Sequence, residues 1–171
     1  MQKPKPLRMA KFQNKYRIPS SRLQNWDYGQ NAAYFVTICT HERECFFGDI
    51  SNGVMALSEI GKIVNAEWLK TFEIRPDMNL WMGEFVVMPN HFHAIIGIGV
   101  NQYNLHRRRR DAMHCVSTTN QFGPQSKNLA SIIRGFKIGV TRNARPINPG
   151  FAWQPRFYDH IIRNQKSYQN I

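Results

Sequence analysis

The chain has 171 residues, of which 42% are hydrophobic and 12% aromatic, enough to build one domain around a packed core and too apolar for disorder throughout. It carries 23 Lys and Arg against 11 Asp and Glu, and the resulting net charge of +12 favours polyanionic partners. No apolar run approaches the ~20 residues that span a bilayer, and the N-terminus lacks a signal-peptide core, so we expect a cytoplasmic protein with no membrane partner.

Residues 1–29 are expected to form a basic N-terminal arm. Residues 1–24 contain no acidic residue, and their cations are Lys3, Lys5, Arg8, Lys11, Lys15, Arg17 and Arg22. Such an arm lies along a phosphate backbone or serves as a solubilising tail, and its composition fits both interpretations. Residues 30–171 would then form the folded domain.

The first half of that domain predicts a strand, a helix and two further strands. Residues 34–40 are rich in β-branched and aromatic side chains and predict the first strand, with a polar loop after it. A helix is predicted from the N-cap Ser58, because apolar residues follow at every fourth position, namely Ile60, Val64, Trp68 and Phe72. Residues 80–88 and 91–98 predict two strands, joined at Pro89-Asn90 either as a hairpin or as one long strand with a bulge.

The second half predicts a loop, a helix and a last strand. Residues 99–127 show no apolar period and predict a loop or insertion, whose Arg107–Arg110 run is either a solvated charge run or a phosphate clamp. From Asn128 an apolar stripe predicts a second helix, with Arg134, Lys137 and Arg142 largely off that stripe. Residues 157–162 predict a strand before a polar tail. This order of elements fits an α+β, ferredoxin-like sandwich with helices on one face of an antiparallel sheet.

The three cysteines, Cys39, Cys45 and Cys115, are expected to be ordinary reduced thiols. They are odd in number and lack Cys-x-x-Cys spacing. Neither a disulfide framework nor a zinc knuckle is therefore indicated.

His91 and His93 are the most informative residues for function. In an extended strand they project from one face while Phe92 points to the other, so two imidazoles can share a metal ion. Alternatively, they are polar positions that neighbours or water satisfy. Val86, Val87, Ile95 and Ile96 predict strands covered on both faces, where unsatisfied imidazoles would cost about one to a few kcal/mol each.

Four blocks in this order resemble the HUH endonucleases, specifically the single-tyrosine and REP-associated tyrosine transposases. The blocks are residues 34–40 (YFVTICT), 88–93 (MPNHFH), 129–137 (LASIIRGFK) and 153–164 (WQPRFYDHIIRN). The resemblance implies the same ferredoxin-like fold, binding of single-stranded or hairpin DNA, and a homodimer. It also implies strand cleavage and rejoining through a 5′-phosphotyrosine, with His91 and His93 holding a divalent cation, Mg²⁺ or Mn²⁺.

The nucleophile is the weak point of the resemblance. The family's tyrosine lies in a Tyr-Ile-x-x-Asn-Pro stretch beyond the Trp-Gln-Pro-Arg block, and we expect Ile171 to precede that stretch, so that the catalytic helix is lacking. Tyr158 is the substitute candidate, although relatives can carry Trp there and packing or base stacking fits it too. Tyr168, in the polar tail, is a weaker candidate.

Further residues are candidates for DNA contact. Arg156 and Arg163 interleave with the aromatic residues Trp153 and Phe157, as on a single-strand binding surface, although both rings could instead be core. With the second helix, the predicted DNA-binding set is Arg134, Lys137, Arg142, Trp153, Arg156 and Arg163. Two other hypotheses remain: a DNA-binding module without nuclease activity, and an RNA-binding ferredoxin-like domain, whose RNP-type aromatic pattern is absent.

Overall fold

The computed structural model describes residues 26–105, 126–169 and 171, together with the short pieces 11–12, 15–16 and 22–23. Most of the predicted N-terminal arm, the Arg107–Arg110 run and Cys115 therefore lie outside the described residues. Within the arm, strands β1 (Lys11–Phe12) and β2 (Lys15–Tyr16) pair antiparallel.

A four-stranded antiparallel sheet is the centre of the fold. Its strands are β3 (Ala32–Cys39), β6 (Leu80–Met88), β7 (His91–Ile98) and β8 (Tyr158–Ile162), in the order β6-β7-β3-β8. The turn at Pro89 and Asn90 joins β6 and β7 as a hairpin, which settles the alternative left open above. The predicted α+β class, with helices packed against an antiparallel sheet, is confirmed.

Helices α1 (Glu59–Glu73) and α2 (Leu129–Ala144) cover one face of this sheet. The Ser58 side chain caps α1 by accepting a hydrogen bond from the Gly61 amide. Asn128 and Ser131 form a reciprocal capping box at the start of α2. Within the described residues, no helix has the length and apolar character needed to cross a bilayer.

The core lies between the helices and the sheet. Trp68 is fully buried at its centre and packs against the rings of Phe72, Phe85, Phe92 and Phe136, with centroids 5.0–6.5 Å away. From the strands, the alternating residues Tyr34, Val36 and Ile38 of β3 and Phe92, Ala94, Ile96 and Ile98 of β7 point into it. This alternation leaves the odd-numbered residues of both strands on the opposite face of the sheet.

That opposite face, which we call the open face, corrects one prediction. Val86 is 45% exposed there, so the expectation that its strand is covered on both faces is wrong. Ile95 is buried on the same face, where Gly83 lies close against it. The histidines of β7 therefore lie on a face that solvent and ligands can reach.

Three elements differ from or add to the sequence predictions. The loop after β3 contains a small hairpin of β4 (Gly48–Ser51) and β5 (Val54–Leu57), turning at Asn52-Gly53. The polar tail contains a short helix, α3 (Gln165–Gln169), for which we had predicted no regular element. Residues 99–105, by contrast, form a turn held by hydrogen bonds of Asn101 and Asn104, in line with the predicted loop.

Candidate functional site

His91 and His93 lie side by side on the open face, with ring centroids 4.6 Å apart and ring planes at 77°. Strand register explains their neighbours: His93 stands opposite Thr37 of β3 and Val86 of β6, while His91 stands opposite Cys39 and Met88. Both imidazoles are partly buried. The pair thus forms a preformed two-nitrogen site that is open on one side.

Asn90 orients the His91 ring. Its amide nitrogen donates to the Arg43 carbonyl at 3.0 Å, which turns the Asn90 carbonyl oxygen toward Nδ1 of His91 at 2.7 Å. Since a carbonyl oxygen only accepts, Nδ1 of His91 carries the hydrogen and donates. The lone pair of a neutral His91 ring is therefore on Nε2.

Thr37 plays the corresponding part for His93. Its hydroxyl oxygen lies 2.8 Å from Nδ1, and a hydroxyl can accept a hydrogen bond as well as donate one. An Nδ1–H tautomer of His93 then also leaves its lone pair on Nε2. Partners of this kind on the second ring nitrogen are typical of metal-binding histidines, because they fix the tautomer and the ring orientation.

The surroundings of both rings favour their neutral form. Burial lowers the pKa of His91, and the positive charge of Arg43 lowers it further. Burial also lowers the pKa of His93, with a smaller contribution from His91. Since a proton and a metal ion compete for the same lone pair, a lowered pKa favours metal binding.

The pair fits a divalent cation as two of its ligands. Their ring centroids are 4.6 Å apart and each ring is held at Nδ1, so the two imidazoles are close enough to serve together as ligands of one ion. Among the described residues, no group of three His, Cys, Asp or Glu surrounds such a site. Water and phosphate oxygens would complete the shell, as is usual for Mg²⁺ and Mn²⁺ at sites of turnover.

Tyr158 lies on the same face as the histidines. It stands opposite Thr37 on β8, so two strand spacings, or about 10 Å between Cα atoms, separate it from His93. Its side chain is 56% exposed. Tyr168, on α3, is also exposed, whereas the rings of Tyr28 and Tyr34 are in the core.

A second feature, which we call the basic groove, lies on the helical side of β8. It has a volume of about 800 Å³, and its lining includes six cations and no acidic residue: Arg22, Arg134, Lys137, Arg142, Arg145 and Arg156. Ile133, Ile138 and Phe157 give it an apolar floor. Four of the six predicted DNA-binding residues therefore meet in one place.

Lys137 is the most constrained cation of the groove. Its ammonium donates to the carbonyls of Gln154 at 2.8 Å and Arg156 at 3.1 Å, and it lies 5.6 Å from the centre of the Trp153 ring. Burial lowers the pKa of this amine to about 8. It remains mostly charged at neutral pH, and it ties α2 to the segment that leads into β8.

The other two predicted residues lie outside the groove. The half-buried Trp153 ring packs against Phe47, Phe136 and Phe151, and its indole nitrogen donates to the Lys137 carbonyl at 3.2 Å. The Arg163 guanidinium lies over the Trp26 ring. Sequence reasoning also missed Arg145 as a lining residue, and it missed Asn90 and Thr37 as partners of the histidines.

No protein-family model matches the chain. A protein of Haemophilus influenzae strain Rd, described as uncharacterized, is 38% identical over 157 residues, covering 89% of this chain and 82% of that protein. Among solved structures, a REP-associated tyrosine transposase bound to a REP hairpin is similar in fold, with a TM-score of 0.53, 18% identity, and coverage of 88% of this chain and 67% of that one. The chain has a transposase-like fold and belongs to the same family as the Haemophilus influenzae protein.

Proposed function

We propose that the protein is an HUH-type, single-tyrosine DNA-processing protein that binds hairpin-bearing single-stranded DNA and cleaves and rejoins it. The observation that carries the proposal is the His91–His93 pair, neutral, held at Nδ1 by Asn90 and Thr37, and placed on an open sheet face. The REP-associated transposase of similar fold was solved with a REP hairpin, which supports the choice of ligand.

In this proposal, the Nε2 atoms of His91 and His93 would hold Mg²⁺ or Mn²⁺, and the bound ion would supply Lewis-acid polarisation of the scissile phosphate. The protein residues orient the reaction. Asn90 and Thr37 hold the two rings in the tautomer that ligates. Thr37 also lies between His93 and Tyr158, so that a phosphate bound at the pair is within reach of the next strand.

Tyr158 is the proposed nucleophile among the tyrosines whose side chains the structure describes. Its phenol oxygen would attack phosphorus, forming the phosphotyrosine bond while the bond from phosphorus to the 3′ oxygen breaks. The phenol proton ends on the departing 3′ hydroxyl. Because the phosphodiester energy is conserved in the tyrosine ester, the reverse attack rejoins the strand.

The basic groove is the proposed site for the hairpin backbone. Six cations with no acid among the lining residues can neutralise several phosphates, and the apolar floor can contact sugars. In this proposal Trp153 supports DNA binding indirectly, because its ring packs against Lys137. Arg163, which lies over the Trp26 ring, would contact DNA outside the groove.

A homodimer is also part of the proposal. The edge strand β6 exposes three large apolar side chains, each 44–46% accessible: Trp81 and Val86 on the open face, and Met82 at the edge. A second subunit could cover them. Sedimentation at micromolar concentration, with and without hairpin DNA, tests this part independently of catalysis.

A second candidate is a hairpin-binding protein that does not cleave. It is favoured by the donor set, since the described residues contain no group of three His, Cys, Asp or Glu that could hold a metal ion. This candidate predicts salt-sensitive hairpin binding without a covalent product.

The deciding experiment incubates the protein with a hairpin oligonucleotide that has a single-stranded extension, in Mn²⁺, and looks for a protein–DNA adduct on a denaturing gel. The proposed enzyme forms an adduct that disappears in Tyr158→Phe and in the double variant His91→Gln/His93→Gln, whereas Tyr168→Phe is the matched control and retains it. Adduct formation that persists in the histidine variant would refute the metal assignment. Hairpin binding with no adduct in any variant selects the second candidate.

A further inference from the structure

We propose that a groove on the open face, between β8 and α3, holds one unstacked base of the single-stranded DNA next to the scissile phosphate. The groove has a volume of about 540 Å³ and is lined by Phe35, Tyr158, His160, Asn164, Lys166, Ser167 and Ile171. This inference rests on the proposed function and adds a base-binding subsite to it. We call it the base groove.

The position of the base groove follows from strand register. Phe35 lies two residues before Thr37 in β3 and on the same face of the sheet. Its ring stacks on the His93 imidazole, with centroids 5.3 Å apart and ring planes at 17°. His160 stands opposite Phe35, and Tyr158 stands opposite Thr37. The base groove therefore lies directly beside the histidine pair. A phosphate of a single strand can bind at the pair while the adjoining base lies in the groove.

The lining chemistry matches a nucleotide. The Phe35, Tyr158 and His160 rings offer flat surfaces, and bases of any sequence stack on such rings. Lys166 is exposed, and no lining residue is acidic, so the groove attracts an anion such as the adjoining phosphate. A volume of this size lies within the range of small-ligand sites.

The wall of the groove is held in place by hydrogen bonds. The Ser167 hydroxyl and Nε2 of His160 are 2.9 Å apart, which ties α3 to β8. The Asn164 side-chain oxygen accepts from the Ser167 amide at 2.9 Å. Its amide nitrogen has no acceptor among the described residues, and it can donate to a base edge. Preorganised walls of this kind reduce the entropy lost on binding.

The test compares two single-stranded probes of twelve nucleotides, oligothymidylate and an oligomer of abasic sites with the same number of phosphates. Stacking of a base is worth ~1–3 kcal/mol, so the wild-type protein should bind oligothymidylate at least about fivefold more tightly than the abasic probe. Phe35→Leu and the exposed-site variant Tyr158→Ala should each bring this ratio toward one.

Charge variants separate the phosphate contact from the stacking. Lys166→Gln should weaken binding of both probes by a similar factor, because both carry the same phosphates. Lys62→Gln removes the same charge from an exposed position on α1 and should change neither. A ratio near one in the wild type, or an unchanged ratio in both aromatic variants, overturns the base groove.

The outcome also distinguishes this inference from the proposed function. If the protein binds Mn²⁺ and hairpin DNA but shows no preference for the probe with bases, the base groove alone is wrong. If the protein binds neither Mn²⁺ nor hairpin DNA, the proposed function fails and the base groove fails with it.

Discussion

Asn90 accepts a hydrogen bond from Nδ1 of His91 at 2.7 Å while its own amide nitrogen donates to the Arg43 carbonyl. The hairpin turn that reverses the chain between β6 and β7 thus also orients an imidazole. Removing the hydrogen-bond partner of the ring nitrogen that does not bind the metal typically lowers metal affinity by a factor of about 10–100.

Asn90→Ala should therefore weaken Mn²⁺ binding about tenfold or more, as measured by isothermal titration calorimetry. Asn143→Ala is the matched control, because Asn143 is exposed on α2 and bonds to Glu67 instead. Equal Mn²⁺ affinity in wild type and Asn90→Ala would show that the Asn90 contact does not orient a ligand.

The salt dependence of hairpin binding should report on the basic groove. Arg142 lies in the last turn of α2, Arg145 directly follows the helix, and both are exposed. Each phosphate contact contributes a slope of about −0.9 to the logarithmic plot of affinity against salt for duplex DNA. The Arg142→Gln/Arg145→Gln variant should flatten that slope by roughly two. Fluorescence anisotropy of a labelled hairpin, titrated at salt concentrations from roughly 50 to 300 mM, measures this slope.

The control for this experiment is Lys62→Gln/Lys70→Gln, which removes the same charge from α1. Its slope should match that of the wild type. An equal flattening in both double variants would mean that DNA responds to net charge and not to the basic groove.

Stability should depend on pH through Lys137. Burial lowers its pKa to about 8 in the folded state, whereas an unfolded lysine titrates near its ordinary value of ~10.4. Between these values the unfolded chain binds more protons than the folded protein, so the free energy of unfolding rises with pH. Below pH 8 both states are protonated, and the folded state bears the full cost of the buried charge.

Urea unfolding at pH 7.5 and 9.5, chosen as values on either side of the lowered pKa of about 8, tests this linkage. Relative to Lys137→Met, the wild type should gain stability as the pH rises. The variant lacks the Lys137 amine but keeps every other titratable group of the wild type. A constant difference between the two proteins across this range would contradict the lowered pKa.

Gly97 should be intolerant of a side chain because of Trp81. A Cβ at Gly97 would lie 1.8 Å from the Trp81 ring, which stands opposite it on β6. Gly97→Ala should therefore destabilise the protein by about 1–3 kcal/mol as overpacking does. In the Trp81→Ala background the same change should cost much less, and a cost that is merely additive would exclude the contact.

Local signals predicted most of the fold. Ser58 and Asn128 are N-cap residues in front of regular apolar stripes, and the helices begin directly after them. The β4–β5 hairpin was missed although Asn52-Gly53 is a strong turn signal. The exposure of Val86 could not be read from its apolar character, because β-branched residues favour strands whether or not a second layer covers them.

In the candidate site, likewise, the sequence predicted the local relations and missed the long-range ones. Strand alternation alone predicted that His91 and His93 share a face, because that relation is local. Thr37 lies 56 residues from His93 in the chain, and only the β3–β7 register brings them together. Arg145 joins the basic groove because it directly follows the last residue of α2 and keeps a helical backbone conformation, whereas Arg22 comes from a distant segment.

The basic groove and the histidine pair lie on opposite sides of the sheet, with β8 at the edge between them. A nucleic acid that occupies both must leave the helical layer, turn around this outermost strand and continue over the uncovered surface. A straight duplex cannot follow such a path, whereas a stem that ends in a pliable single strand can. If the protein has the proposed function, the placement of β8 would select substrates by the junction between paired and unpaired nucleotides, before any base is read.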